Sequence, residues 1–230
     1  MDLASQIYLR KSCRNYSDLE IDLTLIEKFI SGVKPLDDAV NYHYEILTKD
    51  KVNIRTRWKA PYYLAIFCQD TPFNRVNMGF IFQQVCLYMQ SIGIGSCWVG
   101  MATPKEKRSD CIILIAFGKS DDITRDISSF KRKELSEISD FEDEKLIPAQ
   151  LAPSSINAQP WYFKHTNDGF DVYQVKQNII KRQFTKKWNS IDVGIALSHL
   201  YVENADTFQF EVKTNFEKLK GHEYIGSVKI

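Results

Sequence analysis

Two polar segments of the sequence carry side chains suited to a phosphorylated, planar ligand. The first is RKSCRNY, residues 10–16, in which Arg10 and Arg14 flank Ser12, with Lys11 adjacent. Two guanidinium forks and a hydroxyl suit phosphate, which arginine binds bidentately. If the segment is helical, Arg10 and Arg14 lie four residues apart on one face and converge. The alternative is a solvated basic turn, which the spacing alone favours.

The second segment is LAPSSINAQPWYF, residues 151–163. Prolines at 153 and 160 disfavour a long regular helix across it. Its Ser, Asn and Gln side chains offer donors and acceptors without a fixed charge. This pattern fits either an ordinary proline-bounded loop or a polar surface for a planar ligand.

A third segment, GIGSCWVG at residues 93–100, differs from a dinucleotide fingerprint. Its glycine spacing is wrong, and its glycines end a predicted helix where that motif would begin one. One interpretation is a helix C-cap followed by an extended segment. The other is a backbone brought close to a ligand edge, with glycine removing the steric obstacle.

Alternating helices and strands must position these segments. Residues 76–95 predict a central helix, because apolar residues recur at spacings of four and three. The other predicted elements are a helix at 22–32, strands at 41–49, 62–68 and 111–118, a polar connector at 119–144, a helix at 141–152, a strand at 169–175, a helix at 190–204 and a strand at 208–214. The two halves share a rough order of elements, which predicts an α+β fold with an internal repeat.

Composition narrows the function classes. The 230 residues include 30 basic and 29 acidic side chains, so bulk charge does not indicate nucleic acid or a membrane surface as a partner. The N-terminus lacks the apolar run of a secretory signal, and we expect a cytoplasmic protein. Five cysteines without a CxxC pair favour neither a zinc site nor a disulfide framework. The four scattered histidines are interpreted as structural, and Cys97 as a packed residue.

Taken together, RKSCRNY, the helix ending in GIGSCWVG, the strand CIILIAFG and APSSINAQPWYF resemble the FMN-dependent nitroreductase family. The family patterns are R-x-S-x-R, a helix ending in G-x-G-S/A-C-W, and P-S-x-x-N-x-Q-P-W. The last normally follows soon after the first, but here that place reads KPLDDAVNYHYEI, residues 34–46. With this motif displaced into the second half, the arrangement of the chain resembles a divergent, internally duplicated branch of the family, the TM nitroreductase-like proteins.

The resemblance implies a nitroreductase-like α+β fold of two pseudo-symmetric halves, residues 1–120 and 121–230, which share one core. Each half would hold a mixed or antiparallel sheet with packed helices, and both halves would contribute to one FMN site per chain. Trp161 and Phe163 would be core residues that anchor the polar loop. The cofactor-binding residues implied are Arg10, Lys11, Ser12, Arg14, Trp98, Val99, Gly100, Arg132, Pro153, Ser154, Ser155, Asn157 and Gln159.

The implied activity is hydride transfer from NAD(P)H through FMN to a nitroaromatic or quinone-like acceptor. The resemblance assigns no catalytic side chain and no metal ligand, because the chemistry belongs to the cofactor. The expected partner is a small-molecule electron acceptor. The chain is expected to be either a monomer or a homodimer. Two alternatives stay open: a flavin-binding sensor or carrier without turnover, and a structural or interaction protein that has lost FMN.

Overall fold

The computed structural model describes residues 2–176 and 187–230, which form two compact units. The described residues of unit 1 fall within 1–74 and 84–129, and those of unit 2 fall within 75–83 and 130–230. Within the described ranges, no helix combines the length and apolar character needed to cross a membrane.

Unit 1 is built on an antiparallel four-stranded sheet with the order β1-β3-β6-β4. Its strands are β1 (Tyr42–Thr48), β3 (Tyr62–Cys68), β4 (Ile94–Val99) and β6 (Cys111–Lys119); β2 (Val52–Ile54) and β5 (Ala102–Pro104) form a separate pair. Its helices are α1 (Ala4–Leu9), α2 (Leu23–Ile30) and the last part of α3 (Pro72–Ser91). The predicted buried strands at 62–68 and 111–118 are confirmed as the two central strands, which are apolar along nearly their whole length.

Unit 2 contains a second antiparallel four-stranded sheet, with the order β7-β8-β10-β9. Its elements are α4 (Leu135–Ile138), α5 (Ile147–Leu151), β7 (Trp161–Thr166), β8 (Gly169–Val175), α6 (Asn189–Glu203), β9 (Gln209–Glu211) and β10 (His222–Lys229). In both sheets the fourth strand in chain order lies between the second and the third, and a long helix joins the second strand to the third. The predicted α+β class is confirmed.

Helix α3 has clear start and stop signals. Thr71 caps its first turn by accepting a hydrogen bond from Asn74 N at 3.1 Å, and Pro72 occupies the first helical position. Gly93, with φ +77°, follows the C-terminus in the left-handed conformation. Gly95 belongs to β4, where an added Cβ would lie 2.8 Å from Cys13 Sγ. The space left by Gly95 is therefore taken by a side chain of the protein itself.

Within unit 2, the first part of α3 and helix α6 cross with their backbones in contact. A Cβ on Gly79 would collide with the carbonyl oxygen of Ile191, three residues before Gly194. A Cβ on Gly194 would collide with the carbonyl oxygen of Val76, three residues before Gly79. The crossing is reciprocal, because each glycine meets the same position of the partner helix.

Two local predictions are wrong. The acidic run SDFEDE, residues 139–144, indicates the N-terminal turn of a helix capped by Ser139 or Asp140. Neither residue caps a helix, because Ser139 Oγ donates to Phe163 O and Asp140 accepts from His165 N. The helical segment begins later, in a 3₁₀ turn at Glu144–Leu146 that is capped by Asp143. The strand predicted at 208–214 is reduced to β9, while β10 was not predicted.

Candidate functional site

In unit 1, the RKSCRNY segment is extended. Helix α1 ends at Leu9, Arg10 forms an antiparallel bridge with Thr124, and Ser12 forms a parallel bridge with Ser96. The helical interpretation of this segment is wrong. Alternate residues of an extended chain face the same side, and Arg10 Nη2 accordingly donates to Ser12 Oγ at 3.1 Å.

Arg10 is a buried cation. Only 4% of the residue is exposed. Burial is the main cause that lowers the pKa of its guanidinium to about 10, and the nearby charges of Arg125 and Arg14 act in the same direction. The group therefore stays charged at neutral pH. Within residues 2–176 and 187–230, no carboxylate forms an ion pair with it. A buried charge is costly unless an opposite charge accompanies it, so this position is suited to an anion.

Arg10, Arg14 and Arg125 form an arginine cluster, and the sequence did not predict Arg125 as a member of it. Its Nε donates to Arg10 O at 3.1 Å, and its backbone N donates to Leu9 O at 2.8 Å. Nothing in the polar connector distinguishes Arg125 from the other basic residues, because its placement follows from the pairing of Thr124 with Arg10. Lys11, by contrast, forms an ion pair with Asp122, with 2.5 Å between Nζ and Oδ1.

Buried thiols complete the surroundings of Arg10. Cys86 is 4% exposed, and burial raises the pKa of its thiol to about 12. Cys97 is 5% exposed, and burial also raises its thiol pKa. Both thiols therefore stay protonated and unreactive near neutral pH, which fits the expectation that Cys97 is a packed residue.

The three predicted site residues at the C-terminal end of β4 differ in their exposure to solvent. Val99 is 3% exposed and packs in the core of unit 1 with Leu114, its partner on β6. Trp98 is half-buried and Gly100 is exposed in the turn after the strand. The side chain of Val99 is occupied by core contacts, so its backbone is the part left to meet a ligand.

In unit 2, the predicted site residues of the second half lie together around the polar loop, which we define as residues 153–159. Arg132 Nη1 donates to Asn157 Oδ1 at 2.8 Å, and Lys133 N donates to Gln159 Oε1 at 2.9 Å. Gln159 N donates to Ser154 Oγ at 2.9 Å. These bonds fasten the polar loop to the segment that contains Arg132.

Several side chains of this cluster have a structural task. The Arg132 guanidinium donates through Nη2 to Leu151 O at 3.1 Å, so it supports the polar loop from outside. Pro153, two positions after Leu151 in the chain, is buried. Trp161 and Phe163 have no exposed surface, which confirms them as core residues.

Asp192 is a second residue that sequence reasoning missed. Both of its carboxylate oxygens accept from Ser155 N at 3.1 Å. It is 3% exposed, and burial raises its pKa well above the usual range. A signal was present in the sequence, because Asp192 is the one charged residue of the largely apolar stretch SIDVGIAL.

The family comparison decides what this chain is. The model of the family described as "Putative TM nitroreductase" matches residues 2–204. The chain belongs to this nitroreductase family. The matched region ends before β9, so the last two strands of the second sheet lie outside it.

One solved structure has the fold of this chain, and two others align with it at lower TM-scores. A structure described as a putative nitroreductase from Thermotoga maritima aligns with a TM-score of 0.66 at 20% identity, over 94% of this chain and 91% of that one. A nitroreductase family protein from Clostridium difficile aligns at 16% identity over 63% of this chain and 98% of that one, with a TM-score of 0.45. An FMN-dependent nitroreductase from Clostridium difficile R20291 aligns at 17% identity over 58% and 95%, with a TM-score of 0.46. No curated protein matches the chain.

Proposed function

We propose that this nitroreductase-family chain is an FMN-dependent oxidoreductase that takes a hydride from NAD(P)H and reduces a nitroaromatic or quinone-like acceptor. Family membership supports the general oxidoreductase role. The observation that carries the flavin assignment is the buried guanidinium of Arg10 within the R-x-S-x-R motif, which no carboxylate of the described residues pairs with.

The donor set of unit 1 fits the phosphate of FMN. Arg10, Arg14 and Arg125 interact electrostatically, and Ser12 Oγ lies 3.1 Å from Arg10 Nη2. Several guanidinium groups near one another repel, and a phosphate dianion would remove that repulsion while accepting their hydrogen bonds. Lys11 contributes less in this proposal, because Asp122 already neutralises its ammonium group.

The polar loop of unit 2 fits the uncharged parts of the cofactor. Ser154 and Ser155 carry hydroxyl groups that can donate or accept, and both residues are half-buried. The side chains of Asn157 and Gln159 form hydrogen bonds with residues 131–133, so they contribute mainly to the shape of the loop. We propose that the serines and the loop backbone contact the ring system and the ribityl chain.

A bound FMN would supply the hydride chemistry, accepting reducing equivalents from NAD(P)H and passing them to the oxidised acceptor. The residues of the chain bind and orient it. Cationic side chains and N–H donors of the protein would stabilise negative charge that develops during reduction, because they are fixed before the reaction begins.

We also propose that the chain arose by internal duplication and binds one FMN per chain. The identical strand orders of the two sheets and the reciprocal crossing at Gly79 and Gly194 support a duplicated unit. The two halves have kept complementary motifs: R-x-S-x-R occurs in the first and PSSINAQPW in the second. A flavin-to-chain ratio of about one in the loaded protein is the expected outcome.

The flavin assignment is tested by titrating the purified protein with FMN and following flavin fluorescence. Arg14→Ala and Arg125→Ala should each weaken binding by about 1–3 kcal/mol, the cost of removing one partner of a buried hydrogen bond. Arg108→Ala is the matched control, since Arg108 lies in the same unit but pairs with Glu45 and Asp110. Equal FMN affinity in all three variants and the parent protein would remove the arginine cluster from the site.

Catalysis is tested separately from binding. The FMN-loaded protein is mixed with NADH or NADPH without oxygen, and the flavin absorbance is followed before and after a quinone is added. Loss and recovery of the absorbance support the oxidoreductase. A flavin that binds but is not reduced supports a sensor or carrier, and a protein that stays colourless with added FMN supports an interaction protein.

A further inference from the structure

The backbone of the polar loop needs an external support. Ile156, Asn157 and Gln159 have φ values of 47°, 56° and 45°. The left-handed conformation costs a non-glycine residue about 1–2 kcal/mol, and a β-branched residue such as isoleucine is an outlier there. The Ile156 side chain is 69% exposed, so its own packing does not hold this conformation.

Two sets of contacts hold the loop from different sides. Residues 131–133 bind Asn157 and Gln159, which form its C-terminal part. Asp192, in the first turn of α6, binds the N-terminal part through Ser155 N. No other contact that the structure describes holds the backbone amide of Ser155.

Among the residues that the structure describes, the carboxylate of Asp192 has a single hydrogen-bond partner. Across residues 2–176 and 187–230, its hydrogen bonds go to Ser155 N, and no cation pairs with it. A buried carboxyl without a cation is unfavourable, because it carries a larger desolvation free energy than an apolar residue of similar size. The one benefit visible in the structure is the hold on Ser155.

The helix crossing provides an internal comparison. Asp192 lies two residues before Gly194, and Asn77 lies two residues before Gly79, so the reciprocal crossing makes them equivalent positions. The first half has an amide at this position and KPLDDAV in place of the PSSINAQPW motif. The carboxylate and the polar loop therefore occur in the same half.

We propose that Asp192 is a positioning residue that fixes the polar loop for flavin binding by holding the backbone amide of Ser155. This inference rests on the proposed function. Asp192 acts through Ser155 and is not assigned a contact with the flavin.

The first experiment measures hydrogen exchange of the peptide covering residues 151–161 in the protein without flavin. Asp192→Ala should speed exchange in this peptide about tenfold, the equivalent of one lost hydrogen bond of about 1.4 kcal/mol. Asp192→Asn keeps an acceptor oxygen and should restore exchange to near the parent rate. Asp171→Asn is the matched control, because Asp171 is a buried carboxylate of the same unit that bonds to Ser227.

A second pair of variants approaches the contact from the loop. Ser155→Pro removes the N–H donor but should fit the backbone, because Ser154 is extended at φ −146° and ψ 160° and proline is favoured at a first helical position. Ser155→Ala keeps the N–H and removes the hydroxyl. Faster loop exchange in Ser155→Pro than in Ser155→Ala supports the proposal even if Asp192→Ala does not fold.

The second measurement is FMN affinity of the same variants. The dissociation constant should rise about tenfold in Asp192→Ala, recover in Asp192→Asn and stay unchanged in Asp171→Asn. Unchanged loop exchange in Asp192→Ala, or an equal change in Asp171→Asn, overturns the positioning role. Changed exchange with unchanged FMN affinity overturns its link to the flavin. A parent protein that binds no FMN overturns the proposed function, and loop exchange then still decides whether Asp192 holds Ser155.

Discussion

Gly79 and Gly194 occupy equivalent positions in the crossing of α3 and α6, and each leaves room for a backbone carbonyl of the other helix. The crossing places α6 and the first part of α3 side by side within unit 2. Helix α6 also carries Asp192, which bonds to the polar loop. The two glycines therefore affect both the stability of the fold and the position of Asp192.

Gly194→Ala should lower the free energy of unfolding by at least about 2 kcal/mol, because the added methyl group collides with the Val76 carbonyl and the helices must separate. Urea unfolding followed by circular dichroism measures the effect. Gly32→Ala is the control, since its Cβ would lie an ordinary 3.7 Å from Phe29 O, and it should change stability by less than about 0.5 kcal/mol. Equal effects of the two substitutions would contradict the close crossing.

The pKa of Asp192 predicts a specific pH dependence. Burial raises this pKa well above 3.8, so at pH values between the unfolded and folded pKa the folded chain keeps a proton that the unfolded chain has lost. Stability from this group is present at low pH and is lost as the pH rises through the folded value. Asp192→Asn cannot ionise, so its stability relative to the parent should increase with pH.

Urea unfolding at several pH values from 5 to 8 measures that difference. Asp126→Asn is the control: hydrogen bonds from Ser128 lower the pKa of Asp126, so it is ionised in both states across this range. Its difference from the parent should therefore stay constant with pH. A constant difference for Asp192→Asn as well would mean that Asp192 is ionised in the folded state across this range, which would contradict its raised pKa.

Arg10 should make the stability of the protein sensitive to phosphate. An anion that binds the folded state and not the unfolded chain raises the melting temperature by mass action. Inorganic phosphate should therefore stabilise the parent protein more than chloride does at matched ionic strength. Arg10→Met removes the buried charge, so this difference should disappear, while the stability in chloride is kept or increased. A phosphate effect that persists in Arg10→Met would place the anion elsewhere.

The cysteines should differ in their rates of alkylation. Cys13, Cys68, Cys86 and Cys97 are buried, whereas Cys111 is half-buried. Timed treatment with iodoacetamide at pH 8, followed by mass spectrometry, should label Cys111 first. All five should react at similar rates in urea. Faster labelling of Cys86 or Cys97 in the folded protein would contradict their burial and raised thiol pKa values.

The sequence by itself determined the apolar strands, the long central helices and the presence of the three motifs. Continuous apolar runs such as YYLAIFC specify buried strands through composition alone, and Thr71, Pro72 and Gly93 limit α3 through local backbone preferences. Such signals act over a few residues, so they can be read without knowing the fold. The motifs were recognisable for the same reason.

Only the tertiary structure decided which residues accompany those motifs. Arg125 reaches Arg10 because strand-like pairing joins segments more than 100 positions apart, and Asp192 reaches Ser155 from a helix 37 positions later. It also decided that RKSCRNY is extended, since its bridges to Thr124 and Ser96 satisfy a backbone that local spacing could not distinguish from a helix. Long-range hydrogen bonds and burial fix these arrangements, and neither is encoded in the spacing of neighbouring residues.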